Sequence, residues 1–331
     1  MLTSLPLPIA AKSRVSTSPL SRGQRICPID PALHGAALAR LYSIEFGART
    51  TSHSATLSKH IHAKDRELDF LCDTGKSGFV CQLSNGDVIG GVTLLVHPYI
   101  NDTVLIANLV VDSRFRQRGI GRQLMRHAIA FCNKNDVSHV ELQVDADNGA
   151  AIDLYSSLGL VKIGEVARYH LQNRIALPIC KTREAIHDDA KEIQRLVAIN
   201  VPVGMALAEA ISSQRYAIDC GEQRMGRCQW FAMDGAQGRL LGAVHIEALD
   251  AKQMQIELLL DPRTTKNAGL GLIRSALNTP NLLKCEDIRA RQSQRGMMAS
   301  RAIEAAGFVK DRCLAHMRLN LRSPITPAAL R

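Results

Sequence analysis

The stretch NLVVDSRFRQRGIGR, residues 108–122, decides how the rest of the chain is interpreted. It begins with apolar residues typical of a strand and ends in two glycines that open a helical pattern. Without Cβ atoms, Gly119 and Gly121 let backbone N–H groups approach an oxyanion closely. The helix N-terminus and the neighbouring arginines add positive potential. The stretch therefore predicts a site for a phosphate-bearing ligand.

Other glycine-rich loops do not fit this context. A dinucleotide-binding loop needs a third glycine after the first strand of a parallel unit. This loop lacks that glycine and follows a predicted antiparallel meander of strands at residues 79–83, 88–96 and 103–111. A Walker loop needs Gly-Lys-Ser/Thr, which is also missing. A tight strand-to-helix turn without a ligand is the remaining alternative.

A second motif, VDADNGAAIDLYSSLGL at residues 144–160, follows about thirty residues later. The R-x-x-G-x-G pattern from Arg116 to Gly121 and the N-x-x-A-x-x-x-Y-x-x-x-G pattern that starts at Asn148 together resemble the GNAT superfamily of acyl-CoA-dependent N-acetyltransferases. The resemblance covers residues 25–173 and, more faintly, residues 181–320.

The resemblance implies acetyl-CoA as co-substrate and a set of binding residues. The backbone of residues 109–111 would lie along the acetyl and pantetheine portion, and residues 116–122 would hold the pyrophosphate. Asn148 would contact the pantetheine arm. The full set implied for cofactor binding is Leu109, Val110, Val111, Arg116, Gln117, Arg118, Gly119, Ile120, Gly121, Arg122 and Asn148.

The resemblance also places Tyr155 near the thioester sulfur. A phenol with a pKa near 10 stays protonated at pH 7 and can protonate the departing thiolate. The alternative is a buried helix aromatic whose hydroxyl bonds to the backbone. No general base is assigned, because Ala107 stands where some relatives have a glutamate. Asp112 is interpreted as a turn former, while Glu67 and a water chain both stay open as routes for the proton.

The predicted fold is α+β, with two tandem GNAT-like copies that each contain a twisted, mixed but mostly antiparallel sheet flanked by helices. The run GLVK at residues 159–162 recurs as GFVK at residues 307–310. The predicted organisation is a flexible tail at residues 1–24, a catalytic domain at 25–175, a degenerate second domain at 176–323 and a C-terminal tail at 324–331.

Several elements can be predicted individually. A helix begins after Asp30-Pro31 and is expected to bury Leu33, Ala37, Leu38, Leu41 and Ile44. Further predictions are a pair of short strands at residues 161–164 and 168–171, and a polar helix at residues 293–306. In the second copy, residues 258–260, Ile273 and Leu277 are expected in the core.

The second copy has lost the polar groups of the first. Tyr155 aligns with Ile303 and Asn148 with Gly296, and the pattern from Lys266 to Gly271 carries one inserted residue. The sequence therefore predicts a second domain that is inactive or structural.

Composition narrows the partners. The 41 Lys plus Arg against 31 Asp plus Glu favour an anionic partner, while 4% aromatic residues leave few rings for stacking on nucleic-acid bases. Apolar runs are too short for a membrane span. His53, His60 and His62 are interpreted as part of a polar segment, so no metal is expected. A small-molecule or peptide amine is predicted as the partner, without nucleic acid or membrane.

Nine cysteines without a C-x-x-C pair indicate reduced thiols and a cytoplasmic protein, and the acid-poor N-terminus leaves an organelle transit segment as the alternative. The predicted activity is acetyl transfer by direct attack of the amine, since no cysteine lies in the motifs. The alternative is a non-catalytic acyl-CoA sensor. Amino acid, polyamine, aminoglycoside and peptide acceptors stay open, and a homo-oligomer is compatible with the sequence.

Overall fold

The computed structural model describes residues 23–46, 77–97, 100–202, 228–248, 252–283, 285–293 and 295–322. Contacts divide the chain into two compact units. Of the described residues, unit 1 contains those up to 142, those from 154 to 160 and those from 318 to 322, and unit 2 contains those from 143 to 153 and from 161 to 317. Within the described ranges, no helix is both long enough and apolar enough to cross a membrane.

Unit 1 is built on a mixed sheet whose strands are neighbours in chain order. The first four strands pair antiparallel, and the fifth pairs parallel with the fourth. The strands are β1 (Gln24–Pro28), β2 (Ser77–Leu83), β3 (Val88–His97), β4 (Ile100–Val111) and β5 (His139–Asp145).

Helix α1 (Pro31–Phe46) covers one face of this sheet, and the carboxylate of Asp30 caps it by accepting from the Ala32 N–H at 2.9 Å. The predicted helix is confirmed, but its predicted buried face is partly wrong. Leu33 is 76% exposed and Ile44 is 62% exposed. The buried side chains of α1 are His34, Leu38, Leu41 and Tyr42. The buried face of α1 includes His34 and Tyr42. A pattern based on apolar residues alone does not include these two positions.

The other face of the sheet carries helix α2 (Ile120–Lys134). Two adjacent glycines of β3 show the division, because a Cβ on Gly90 would lie 3.3 Å from Leu124 Cδ1 of α2, whereas one on Gly91 would lie 2.5 Å from Leu38 Cδ2 of α1. From Gly90 to Leu95, even-numbered residues of β3 therefore face α2, and odd-numbered residues face α1. Helix α3 (Gly149–Ser156) follows β5.

Unit 2 contains the remaining strands. They lie in the order β12, β6, β11, β10, β9, β8, β7, and the β10–β11 pair is parallel. Their ranges are β6 (Val161–Leu171), β7 (Arg183–Glu184), β8 (Cys228–Asp234), β9 (Leu240–Ala248), β10 (Gln253–Leu260), β11 (Asp287–Ser293) and β12 (Phe308–Asn320).

The helices of unit 2 cover its apolar core. They are α4 (Ala190–Asn200), α5 (Lys266–Leu277), α6 (Pro280–Leu283) and α7 (Met297–Ala305). The predicted core residues, which are buried as expected, are Leu258, Leu259, Leu260, Ile273 and Leu277. The α+β class and the mostly antiparallel sheets flanked by helices are thus confirmed.

Two element predictions in this part of the chain were wrong. Residues 161–171 form one continuous strand rather than two, because β6 pairs with β11 through its second half and shows no break. The predicted polar helix at residues 293–306 begins four residues later, at Met297, because Ser293 is the last residue of β11. Strand β11 was not predicted because it carries polar residues although it is mostly buried, and a hydrophobicity pattern does not recognise such a strand.

The first copy contributes the whole of β6 to unit 2, and the second copy contributes the end of β12 to unit 1. Strand β6 follows α3 in the chain, yet in unit 2 Tyr169 pairs with Ala290 of β11. The end of β12 lies in unit 1, where the Leu321 N–H donates to the Ser138 carbonyl at 2.8 Å. The boundaries at residues 25–175 and 176–323 therefore stay predictions about the sequence repeat, whereas the compact units are delimited differently.

Unit 2 also buries charged groups. Arg291 pairs with Glu257 at 2.8 Å, and both side chains are almost fully buried. His316 lies in β12 and is 1% exposed. Burial, with the positive charges of Arg168 and Arg291, lowers the pKa of His316 to about 3. The imidazole is therefore neutral in the folded protein at pH 7.

This pKa predicts an acid-labile core. Between about pH 6.5 and pH 3 the unfolded chain protonates His316 and the folded chain does not, so the free energy of unfolding falls as the pH falls through this window. We expect His316→Leu to flatten that dependence, measured by urea unfolding at several pH values. His187→Leu, at an exposed position, is the control. Equal pH slopes for the two variants would contradict the prediction.

Candidate active site

A bulge in β4 shapes the centre of unit 1. Gly91 pairs with Val110 and Thr93 pairs with Ala107, so two residues of β4 lie opposite one residue of β3. Asn108, at the bulge, has a left-handed φ of 53°. The parallel pairing of β4 with β5 extends only as far as Ile106. Beyond that point, the edge of β4 that would face β5 makes no ladder pairs in the described chain and can bond a ligand.

The arginine-rich turn follows at the end of β4. Asp112 accepts from the Arg114 N–H at 3.0 Å and pairs with the Arg114 side chain at 2.7 Å, which lowers the pKa of Asp112. These contacts are those of a turn former. Gln117 and Gly119 adopt left-handed φ values of 60° and 77°. Alternating left- and right-handed residues turn successive N–H groups towards one side, which favours an anion.

The turn opens directly into α2. The Gln123 N–H donates to the Gly119 carbonyl at 3.0 Å, which is a bond of the first helical turn. The N–H groups of residues 120–122 come before this bond and have no acceptor within the helix. A Cβ on Gly119 would meet no atom within 4 Å. A Cβ on Gly121 would lie 3.6 Å from Leu154 Cδ2 and 3.8 Å from Val111 Cγ2. The missing side chain of Gly121 therefore leaves a cradle against β4 and α3.

The structure separates the predicted binding residues by what each can contribute. The side chains of Val110 and Ile120 are buried in the core, so only their backbones can meet a ligand. Leu109 and Val111 lie on the α2 face, beside the cradle at Gly121. Gln117 and Gly119 are exposed at the turn.

Each predicted arginine already has a protein contact. Arg116 donates to the Val111 carbonyl at 3.2 Å and pairs with Glu45, while Arg118 stacks over Phe115 at 5.2 Å. Arg122 donates to Ser157 Oγ at 2.7 Å. The Glu45 contact was missed by sequence reasoning because the two residues lie 71 positions apart. A phosphate would compete with Glu45 for Arg116.

Tyr155 lies in α3 and is 8% exposed. Burial raises its pKa to about 12. Among the described residues its hydroxyl makes no hydrogen bond, so the alternative of a backbone-bonded hydroxyl has no contact to support it. Asn148 caps the same helix by accepting from the Ala151 N–H at 3.1 Å. Its amide nitrogen stays available to a ligand.

Asn108 is a polar group that the sequence motifs do not include. Its buried Nδ2 has no hydrogen-bond partner among the described residues. A buried, unsatisfied donor at the open edge of β4 matches a ligand that carries carbonyl groups, such as a pantetheine arm. This donor and the cradle at Gly121 both fit the implied ligand. The sequence could have indicated Asn108 only through its position next to residues 109–111, which were predicted to bind the co-substrate.

The matching region of unit 2 is filled by the chain itself. The N-terminus of α5 is capped by Thr265, which accepts from the Ala268 N–H at 3.3 Å. A Cβ on Gly271 would lie only 2.4 Å from the Cβ of Cys180. The Cys180 thiol contacts the Asn267 carbonyl at 3.5 Å. The segment before β7 therefore occupies the space that Gly121 leaves open in unit 1.

A side-chain amide also closes the strand edge in unit 2. Asn200 donates to the Leu260 carbonyl at 2.9 Å and accepts from the Leu260 N–H at 3.3 Å. Leu260 precedes Asp261 as Val111 precedes Asp112. A Cβ on Gly296 would lie 3.1 Å from Asn200 Oδ1. The residue that replaced Asn148 in this copy therefore makes room for Asn200.

No group of three or more potential metal ligands occurs among the described residues. The predicted His53, His60 and His62, and Glu67 as a proton acceptor, lie outside the described residues.

Residues 38–160 match the family model of the acetyltransferase (GNAT) family. The chain is 35% identical over 120 residues to N-acetylaspartate synthetase from Danio rerio, covering 36% of this chain and 42% of that protein. It is 36% identical over 91 residues to an L-amino acid N-acetyltransferase from Escherichia coli (strain K12), covering 27% of this chain and 56% of that protein. The chain thus spans about half the length of these relatives.

Solved structures extend the likeness in fold to both units. The GCN5-related N-acetyltransferase from Sphaerobacter thermophilus aligns with a TM-score of 0.64 at 13% identity, over 94% of this chain and 99% of that chain. A tandem GNAT protein from the clavulanic acid biosynthesis pathway aligns with a TM-score of 0.51 at 17% identity, over 91% and 99%. The resemblance and the tandem GNAT-like fold predicted from the sequence are confirmed.

The cradle predicts the effect of Gly121→Asp on coenzyme A binding. The carboxylate would fill the cradle and repel a phosphate, so we expect binding to weaken about 10-fold or more. An acidic residue suits a helix N-terminus, so the melting temperature should change little. Isothermal calorimetry is the measurement. Ser84→Asp, which adds the same charge in an exposed turn, is the control, and equal affinities would exclude the cradle.

The filled region of unit 2 predicts the stoichiometry. We expect calorimetry to give one coenzyme A bound per chain, because Cys180 and Asn200 occupy the second cradle and strand edge. Asn200→Ala opens only part of that space and should not add a second site. Two equivalents bound, or a second equivalent that persists in Gly121→Asp, would contradict this interpretation.

Proposed function

Because residues 38–160 match the family model of the acetyltransferase (GNAT) family, we propose that this chain transfers an acetyl group from acetyl-CoA to a primary amine. The observation that carries the proposal is the arrangement in unit 1. Three features belong to one compact unit: the open edge of β4, the cradle at Gly121 and the side chain of Tyr155 in α3. They offer a ligand backbone bonds, an anion site and a proton donor.

The binding residues divide the co-substrate among them. The N–H groups at the start of α2 and the turn at residues 117–119 would hold the pyrophosphate. The backbone of residues 109–111 and the Asn108 amide would hold the pantetheine arm. Arg122, oriented by Ser157, adds positive charge at the same helix end.

Tyr155 is proposed as the general acid. When an amine attacks the thioester carbon, the C–S bond breaks and the electron pair stays on sulfur as a thiolate. A phenol with a pKa of about 12 remains protonated at pH 7 and can give its proton to that thiolate, and the proton that the amine nitrogen loses on forming the amide restores the phenol through solvent. Its hydroxyl has no competing bond among the described residues.

Direct attack is proposed rather than an acyl-cysteine intermediate. Burial raises the pKa of Cys81 to about 11 and that of Cys132 to about 12. Burial also raises the pKa of Cys27. Because the thiolate is the nucleophile, these described cysteines of unit 1 are poorly suited to attack a thioester at pH 7.

The acceptor is proposed to be a small-molecule amine, since the names of the two relatives described above refer to N-acetylaspartate and to L-amino acids. A non-catalytic acyl-CoA sensor, the alternative from the sequence, has no independent support. A cytoplasmic location also stays a proposal, in keeping with the free thiols of the described cysteines.

Tyr155→Phe tests the proposed function. We expect turnover, measured as thiol release with acetyl-CoA and an amine panel, to fall about 10²- to 10⁴-fold because only the proton donor is removed. Affinity for coenzyme A should stay within about 2-fold, since the ring still fills its buried position. Tyr169→Phe in unit 2 is the matched control. Turnover at the parent rate would show that Tyr155 serves packing alone.

A further inference from the structure

We propose that Arg318, held in place by Glu141, binds a carboxylate group of the acceptor, so that the acceptor is a small molecule with both an amine and a carboxylate. The inference rests on the proposed function and extends it to the substrate class. It depends on the end of β12, which unit 1 receives from the far end of the chain.

Strand register places Glu141 on the α1 face of the sheet. Thr93 of β3 faces α1, where its hydroxyl lies 3.2 Å from the Tyr42 hydroxyl. Ala107 is its partner in β4, and Leu105, two residues earlier, shares that face. Leu105 is in turn aligned with Glu141 of β5. Ala107 and Glu141 therefore lie on one face, with Ala107 about 7 Å further along the strands.

Arg318 reaches the same place from β12. Its Nε donates to Glu141 Oε1 at 2.8 Å, and its Nη2 donates to the same oxygen. The Glu141 side chain is 2% exposed, and the Arg318 side chain is 19% exposed. A buried carboxylate thus fixes one edge of a guanidinium that still reaches solvent.

The other edge of this guanidinium is available. Among the described residues, Nη1 of Arg318 makes no hydrogen bond. A guanidinium presents five N–H groups in a planar fork, and two neighbouring groups match the two oxygens of a carboxylate. Because Glu141 already neutralises Arg318, an acceptor that carries an ammonium beside its carboxylate keeps the local charge balanced.

The acceptor must approach from the α1 face. The cradle of Gly121 and the side chains of Leu109 and Val111 lie on the α2 face, where they would hold the co-substrate. After Ile106 the edge of β4 has no ladder partner in the described part of unit 1, so an acceptor on the α1 face can reach a thioester held along that edge. The side chain of Ala107, beside this edge, is only a methyl group, which leaves room for an amine next to the thioester. Arg318, on the same α1 face, is placed to hold the carboxylate of that acceptor.

The first experiment needs no variant. Thiol release from acetyl-CoA is measured with the full-length protein for the twenty common L-amino acids, for their carboxamides and for the corresponding decarboxylated amines. We expect kcat/KM for the best amino acid to exceed that of its carboxamide by about 10- to 100-fold, mainly through KM. Equal values for acid, amide and amine would overturn the inference, as would a preference for a phosphate-bearing amine.

The second experiment uses Arg318→Lys, which keeps the charge beside Glu141 but loses the fork. We expect KM for the amino acid to rise about 10-fold while kcat and the value for the amide change little. Arg322→Lys, four residues on and exposed, should leave all values unchanged. The double variant Glu141→Gln/Arg318→Gln removes both charges together and should abolish the preference for acid over amide. A preference that survives both variants would overturn the inference.

The outcomes separate this inference from the proposed function. If amides and amines are acetylated as fast as acids, the proposed function stands and the role of Arg318 is wrong. If coenzyme A binds but no amine in the panel is acetylated, the proposed function is wrong and the acceptor site falls with it. Calorimetry with coenzyme A on each variant shows that the co-substrate site is intact, because Arg318 lies on the opposite face.

Discussion

The bulge at Asn108 is the constraint on which the site in unit 1 depends. By inserting one residue into β4, it keeps the strand paired with β3 while the pairing with β5 ends at Ile106. A regular strand would have satisfied its backbone groups within the sheet and left nothing for a ligand. The left-handed backbone of Asn108 costs free energy, and its buried amide lacks a partner among the described residues. Both costs are compensated if the open edge binds a ligand.

The two units show how one fold can keep or lose a site. In unit 1 the edge of β4 is open, and Gly121 leaves space beside it. In unit 2 the amide of Asn200 bonds both backbone groups of Leu260, and Cys180 fills the space at Gly271. These contacts satisfy polar groups that a ligand would otherwise satisfy, which stabilises the unit without one. The second copy has therefore lost the site in two ways: its motif residues were replaced, and its own side chains fill the space that stays open in unit 1.

The second copy has a structural role that requires no catalytic activity, because it supplies strand residues to unit 1. Unit 1 includes the end of β12, where Arg318 pairs with the buried Glu141. Without Arg318 this carboxylate would be a buried charge without its arginine, which is strongly destabilising. Unit 2 likewise includes β6, which pairs along five residues with β11. Removing either copy would therefore remove strand residues that belong to the sheet of the opposite unit.

The sequence by itself determined the α+β class, the duplication, the helix starts at Asp30 and Gly119, and the motif residues from Arg116 to Gly121, because these depend on local signals such as caps, glycines and short-range periodicity. Only the tertiary structure decided the partners of those residues. Glu45 beside Arg116, Arg318 beside Glu141 and Asn200 beside Leu260 join positions that lie 60 to 177 residues apart. The buried face of α1 and the polar strand β11 also escaped sequence reasoning, since side-chain burial in both follows from packing against distant strands rather than from the residues' own hydrophobicity.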